Sequence, residues 1–137
     1  MATILIVDDS RTSRKILKTA LEKGGFSIIG EAANGEEGYL KYKELRPDIV
    51  TMDITMPTMD GIESLSLIKR ENKDARVIMI TAAGQKEKMV EALKRGADEF
   101  IMKPFDEAEV LDTLNRVAED ENEEKEFNLD DMFQDGQ

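Results

Sequence analysis

The amino-acid sequence predicts an α/β protein in which a doubly wound, five-stranded parallel sheet is covered by five helices. Three observations support this fold class. Apolar runs of strand length recur along the chain, and several are continuous rather than alternating, as expected of parallel strands buried on both faces. Segments with helical periodicity separate these runs. Strand and helix patterns therefore alternate, which is typical of a doubly wound sheet.

The predicted strands are all short. They run from Thr3 to Val7, Ser27 to Ile29, Ile49 to Met52, Val77 to Ile80 and Phe100 to Met102. The first, third and fourth of these are the continuous apolar runs, so we expect them to be covered on both faces.

Five helical patterns follow the strands in turn. The first ends at Gly24 and Gly25, and the second can be capped by Asn34 and ends before Pro47. Gly96 ends the fourth. The apolar stripes of the helices, apart from the second, are Ile16, Leu17, Ala20 and Leu21; Ile62, Leu65 and Ile68; Met89, Val90 and Leu93; and Val110, Leu111, Leu114, Val117 and Ala118.

The composition excludes several classes of site. The chain of 137 residues suits a single domain, and it contains no cysteine and no histidine. Disulfides, thiolate nucleophiles, cysteine–zinc sites and histidine general bases are therefore absent. No apolar run is long enough to span a membrane and no signal peptide is visible, so we expect a cytoplasmic protein. The net charge of −11 disfavours nucleic acid and anionic membrane as partners.

The negative charge is concentrated at the C-terminus. Residues from Asp120 to Gln137 include eight acidic residues and one basic residue, a net charge of −7 that leaves −4 for the rest of the chain. We expect a folded domain over residues 1–120 and an acidic tail over 121–137. Within the tail, Leu129, Met132 and Phe133 have helical spacing after a possible cap at Asn128, so a short amphipathic helix is one interpretation and a solvated tail is the other.

Polar residues follow the predicted strands at their carboxyl ends, where ligands bind in such sheets. Asp8 and Asp9 follow the first strand and Asp53 the third, while Thr81 and Lys103 follow the fourth and fifth. Three adjacent carboxylates repel one another unless a cation joins them, and oxygen ligands suit Mg²⁺. With Mg²⁺ and an ammonium nearby, Asp53 could attack phosphorus and form an aspartyl phosphate, with Thr81 and Lys103 donating to the phosphoryl oxygens.

These residues lie in motifs that resemble the receiver domains of two-component response regulators. The motifs are "DD" at Asp8–Asp9, "MDITMPTMDG" around Asp53, "MITA" ending near Thr81, and "KPF" from Lys103. The resemblance extends from Thr3 to about Glu119 and implies a flavodoxin-like fold.

The resemblance also implies roles for individual residues. Asp53 is expected to be the phosphoacceptor, and Asp8, Asp9, Asp53 and the backbone carbonyl of Thr55 are expected to hold Mg²⁺. The Lys103–Pro104 peptide is expected to be cis. Thr81 and the aromatic residue Phe100 are expected to form the switch that responds to phosphorylation.

The sequence pattern is most similar to single-domain chemotaxis receivers. This implies a histidine kinase (CheA-like) as phosphodonor, a flagellar motor switch protein (FliM-like) as target, possible control by a phosphatase, and a monomeric state. The target would dock on the surface of the fourth helix, fifth strand and fifth helix, where the acidic tail either competes with it or extends the surface. Such a protein catalyses only its own phosphorylation and dephosphorylation, so we do not expect an enzyme.

Two other functions are compatible with parts of the pattern. A phosphorelay intermediate would pass the phosphoryl group to a histidine phosphotransfer protein. A phosphatase of the haloacid dehalogenase type uses the same aspartate chemistry, but it needs a second Asp two residues after the nucleophile, and Thr55 occupies that position.

Overall fold

The computed structural model describes residues 2–122 and contains one five-stranded parallel sheet with five helices. The strands are β1 (Thr3–Val7), β2 (Ser27–Ala32), β3 (Ile49–Asp53), β4 (Arg76–Thr81) and β5 (Glu99–Met102). The helices are α1 (Arg11–Lys23), α2 (Gly35–Leu45), α3 (Gly61–Glu71), α4 (Lys86–Lys94) and α5 (Glu107–Asn122). The predicted fold class is confirmed.

The strand order is β2-β1-β3-β4-β5, so the chain reverses direction across the sheet between β1 and β3. Side chains alternate between the two faces of each strand and form two hydrophobic clusters. One cluster contains α2, α3 and α4 residues, and the other contains α1 and α5 residues. The sheet is therefore covered on both sides, which explains the continuous apolar runs of the inner strands.

Short polar side chains cap the beginnings of four helices. Ser10, Asn34, Asp60 and Asp106 each accept a hydrogen bond from a backbone N–H in the first turn of α1, α2, α3 and α5, respectively. The predicted cap at Asn34 is thus confirmed. Two of these helices begin within a few residues of the ends of β1 and β2, and their caps help to fix the loops at that edge of the sheet.

Strands β3, β4 and β5 extend one residue beyond the predicted bounds at one or both ends, and three larger details also differ from the sequence prediction. Strand β2 continues past Ile29 to Ala32, because residues 30–32 pair with β1 despite the low strand propensity of Gly30 and Glu31. Ile16 was expected in the α1 stripe, but it is 57% exposed because only Leu17, Ala20 and Leu21 face the core. Helix α4 buries only Ala92, which leaves its expected core residues Val90 and Leu93 about two-fifths exposed.

Candidate functional site

The candidate site lies at the carboxyl edge of the sheet, beside the reversal of strand order between β1 and β3. Asp8 directly follows β1, Asp53 is the last residue of β3, Thr81 is the last residue of β4, and Lys103 directly follows β5. Parallel strands end at the same edge, so four segments distant in sequence bring their polar residues to one region.

Three carboxylates form the centre of this site. One oxygen each from Asp8, Asp9 and Asp53 lies within 4.8 Å of the others. Asp8 and Asp53 are buried, while Asp9 is exposed. Backbone N–H groups donate to two of them, from Ser10 to Asp8 at 2.8 Å and from Ile54 to Asp53 at 3.0 Å, which fixes the orientation of these carboxylates.

Lys103 supplies the positive charge at the site. Its Nζ lies 3.5 Å from Oδ2 of Asp8 and 3.5 Å from Oδ2 of Asp53. The backbone N–H of Lys103 donates to the carbonyl of Thr81 at 2.7 Å, and the peptide to Pro104 is cis as the resemblance implies. The lysine is therefore held by its backbone while its ammonium lies between two carboxylates.

The surroundings of Asp53 favour the neutral, protonated form of its carboxyl group more than water does. Desolvation by burial raises the pKa of the Asp53 carboxyl from 3.8 to about 6, the Lys103 ammonium opposes this rise, and the Asp8 charge adds to it. A nearby divalent cation would reverse the effect of burial, because positive charge stabilises the carboxylate form.

The donor set fits a hard divalent cation. Magnesium takes oxygen ligands in octahedral geometry at about 2.0–2.1 Å, so its ligand oxygens are roughly 3–4 Å apart. The three carboxylate oxygens are grouped close to this spacing. They could hold such an ion after small side-chain movements.

Thr81 and Phe100 lie next to this centre rather than in it. The Thr81 hydroxyl is buried and lies 3.2 Å from the carbonyl of Ala82 and 3.3 Å from Oε1 of Gln85. Phe100 pairs with Met79 across β4 and β5 and packs, partly buried, against the cluster formed with α2, α3 and α4. The proposed switch residues thus occupy adjoining strands.

Gln85 is a residue that the sequence reasoning missed. Its side chain folds back from the start of α4 and contacts Thr81, the backbone N–H of Ala82 and the hydroxyl of Thr55. The motif "AAGQ" belongs to the pattern that resembles chemotaxis receivers, but only the three-dimensional contacts reveal what the glutamine does at the site.

The described residues, 2–122, include no helix that is both long and apolar enough to cross a membrane. The predicted amphipathic segment around Leu129, Met132 and Phe133 lies outside the described residues.

Comparison with known proteins identifies related sequences and structures. Residues 4–115 match the family described as response regulator receiver domain. The chain is 48% identical to the chemotaxis protein CheY of Thermotoga maritima over 84% of this chain and 96% of that protein. It is 49% identical to CheY of Bacillus subtilis over 83% of this chain and 95% of that protein.

The fold also matches solved structures. CheY in a crystal structure of the CheX-CheY-BeF3-Mg complex from Borrelia burgdorferi is 48% identical and superposes with a TM-score of 0.81, covering 85% of this chain and 88% of that chain.

Proposed function

We propose that Asp53 accepts a phosphoryl group in this chain, which belongs to the family of response regulator receiver domains. The chain is a CheY-like chemotaxis response regulator, that is, a signalling protein switched by phosphorylation. The observation that carries this proposal is the position of Asp53, a buried carboxylate grouped with Asp8 and Asp9 and 3.5 Å from the Lys103 ammonium.

The proposed reaction is a phosphoryl transfer from a phosphohistidine. An oxygen of the Asp53 carboxylate attacks the phosphorus, a new O–P bond forms and the P–N bond breaks. The bonding electrons leave with the imidazole nitrogen, which takes up a proton from solvent. Because the pKa of Asp53 is about 6, most of the protein carries the required carboxylate at neutral pH even without a metal.

Neighbouring residues position the reaction and stabilise its charge. We propose that Asp8, Asp9, Asp53 and the carbonyl of Thr55 hold Mg²⁺, as the donor set permits. When bound, the ion would neutralise negative charge on the phosphoryl oxygens. Lys103 can move from its two carboxylates to a phosphoryl oxygen, and the Thr81 hydroxyl can donate to another.

Similarity supports a proposal for the partners and the location. The proposed partners are a CheA-like histidine kinase, a FliM-like motor switch protein and a phosphatase; CheY of Borrelia burgdorferi is known in complex with CheX. We further propose a cytoplasmic monomer that acts on no separate substrate. The phosphorelay alternative has less support, because the relatives compared above are chemotaxis proteins.

Substitution of Asp53 tests the central proposal. Asp53→Asn is nearly isosteric but lacks the nucleophilic carboxylate, so incubation with acetyl phosphate and Mg²⁺ should give no phosphorylated protein by intact mass spectrometry. Asp74→Asn, at an exposed carboxylate distant in sequence, is the matched control and should be labelled like the wild type. Full labelling of Asp53→Asn would show that another residue is the acceptor.

A further inference from the structure

Gln85 joins two loops of the phosphorylation site through one side chain. Its Oε1 accepts a hydrogen bond from the backbone N–H of Ala82 at 2.8 Å. Its Nε2 donates to the hydroxyl of Thr55, two residues after Asp53. Since the backbone N–H of Ala82 can only donate, it fixes which end of the amide is oxygen, and the NH₂ group must then face Thr55.

The same oxygen of Gln85 is also one of two acceptors within reach of the Thr81 hydroxyl. The Thr81 hydroxyl lies 3.3 Å from this oxygen and 3.2 Å from the carbonyl of Ala82, and both can only accept from it. A hydroxyl has one proton. Donation to either acceptor therefore excludes donation to a phosphoryl group on Asp53.

We propose that Gln85 is a positioning residue that stabilises the unphosphorylated arrangement by holding Thr81 and Thr55, and that phosphorylation must draw Thr81 away from it. The inference rests on the proposed role of Asp53 as phosphoacceptor. The contacts of Gln85 must be broken before Thr81 can reach the phosphoryl group. Their strength therefore sets how much of the free energy of phosphoryl binding is spent on reaching the active arrangement.

The restraint can be measured with a stable phosphoryl mimic. Beryllofluoride with Mg²⁺ is titrated into the full chain, and binding is followed by ¹⁹F NMR. Gln85→Met keeps the length of the side chain but removes its donor and acceptor, so the unliganded arrangement loses the contacts of Gln85 with Thr81 and Thr55. A neutral hydrogen bond lost from one of two states changes their ratio by about three- to tenfold, so Gln85→Met should bind beryllofluoride about three- to tenfold more tightly.

Two further variants distinguish the proposed role of Gln85 from a general structural effect. Lys73→Met, at an exposed lysine between α3 and β4, should bind beryllofluoride like the wild type. In a Thr81→Val background the hydroxyl is gone, so the gain from Gln85→Met should shrink to the part contributed through Thr55 and Ala82. A residue that merely supports the loop would instead weaken binding when replaced.

The possible failures are distinguishable. Unchanged or weaker beryllofluoride binding by Gln85→Met, or an undiminished gain in the Thr81→Val background, would overturn the role of Gln85 and leave the function of Asp53 intact. If the wild-type chain itself bound no beryllofluoride in the presence of Mg²⁺, the proposed phosphoacceptor site and the proposed role of Gln85 would both be wrong.

Discussion

Thr51 is a fully buried residue of β3 whose hydroxyl has no hydrogen-bond partner within residues 2–122. A buried polar group without a partner costs about 1–3 kcal/mol, because it has lost its hydrogen bonds to water. Thr51→Val has nearly the same shape and removes this hydroxyl. We predict that it raises the free energy of unfolding by about 1 kcal/mol, measured by urea denaturation.

Thr113 provides the matched control for this substitution. It is also buried, but its hydroxyl donates to the carbonyl of Glu109 at 3.0 Å. Thr113→Val should therefore be neutral or destabilising. If Thr51→Val lowered stability as much as Thr113→Val, the hydroxyl of Thr51 would have a partner in solution.

Asp53 makes the stability of the fold depend on pH in metal-free buffer. Its pKa in the folded protein is about 6, above the ordinary value of 3.8, so the folded state binds the proton more tightly. The stabilisation from this proton is fully present below about pH 4 and is lost as pH rises to 6. Above pH 6 the fold carries the cost of a buried carboxylate.

Asp53→Asn removes this titration. The variant should be more stable than the wild type at pH 7.5 by about 2 kcal/mol, and the difference should shrink towards pH 4. Urea denaturation at several pH values with EDTA measures it, and Asp74→Asn controls for the loss of one negative charge. A difference between Asp53→Asn and wild type that stayed constant with pH would contradict the raised pKa.

The start of helix α3 packs against the end of β3, the strand that carries Asp53. The N–H of Gly61 donates to the carbonyl of Ile54 at 2.7 Å, and a Cβ on Gly61 would lie 2.0 Å from the carbonyl oxygen of Asp53. Only glycine permits this approach. Helix α3 and Asp53 are thus coupled through the backbone.

Gly61→Ala should therefore disturb both the fold and the site. We predict a loss of about 3 kcal/mol or more in the free energy of unfolding, because the clash is with backbone and cannot be relieved by a rotamer change. Gly30→Ala is the control, since its Cβ would meet first the end of the Leu45 side chain, which can move. Thermal unfolding with and without Mg²⁺ measures both effects, and equal losses in the two variants would contradict the coupling.

All ten elements could be predicted from the sequence, but the end of the edge strand β2 and the buried face of α4 could not. Strand β1 was predicted with its observed ends, because a continuous apolar run stops abruptly at Asp8. Strand β2 is an edge strand whose last residues are held by pairing with β1, and local sequence does not encode that pairing. Helix α4 contacts the core through Ala92 alone, so its larger apolar residues gave a misleading stripe.

The whole-molecule arrangement explains why so much of the site was predictable. Parallel strands end at one edge, so the order of the strand-end residues was enough to place Asp8, Asp53 and Lys103 together. The contacts of Gln85 were not predictable in this way, because they depend on how a loop folds back. Sequence therefore predicted the charged centre of the site but not the hydrogen bonds that restrain it.

The exposed surface of α4 and the end of β5 combines apolar side chains with positive charge. Val90, Leu93 and Met102 are 39%, 41% and 47% exposed, respectively. Helix α4 also presents three lysines to solvent, Lys86, Lys88 and Lys94, together with two glutamates, Glu87 and Glu91, so its net charge is +1. We call Val90, Leu93, Met102 and the three lysines the α4 face. Its apolar groups and small positive charge suit an acidic, apolar segment.

The C-terminal residues 123–137 have this chemistry. They include six acidic residues and one basic residue around Phe127, Leu129, Met132 and Phe133. They follow α5, which comes directly after β5 in the chain, and fifteen residues can extend roughly 50 Å. We predict that residues 127–133 contact the α4 face in the unphosphorylated protein and compete there with a target.

Substitution within the full-length protein tests this contact. Replacing Leu129, Met132 and Phe133 together by Ser should shift the ¹H–¹⁵N NMR signals of Val90, Leu93 and Met102, because their neighbours are removed. A control with Gln134 and Gln137 replaced by Ser should leave these three signals in place. Added salt should move the wild-type signals towards those of the triple variant, since the acidic residues and lysines attract each other less at high ionic strength. Signals that stay unchanged in the triple variant, or that shift only on another surface, would show that the tail does not occupy the α4 face.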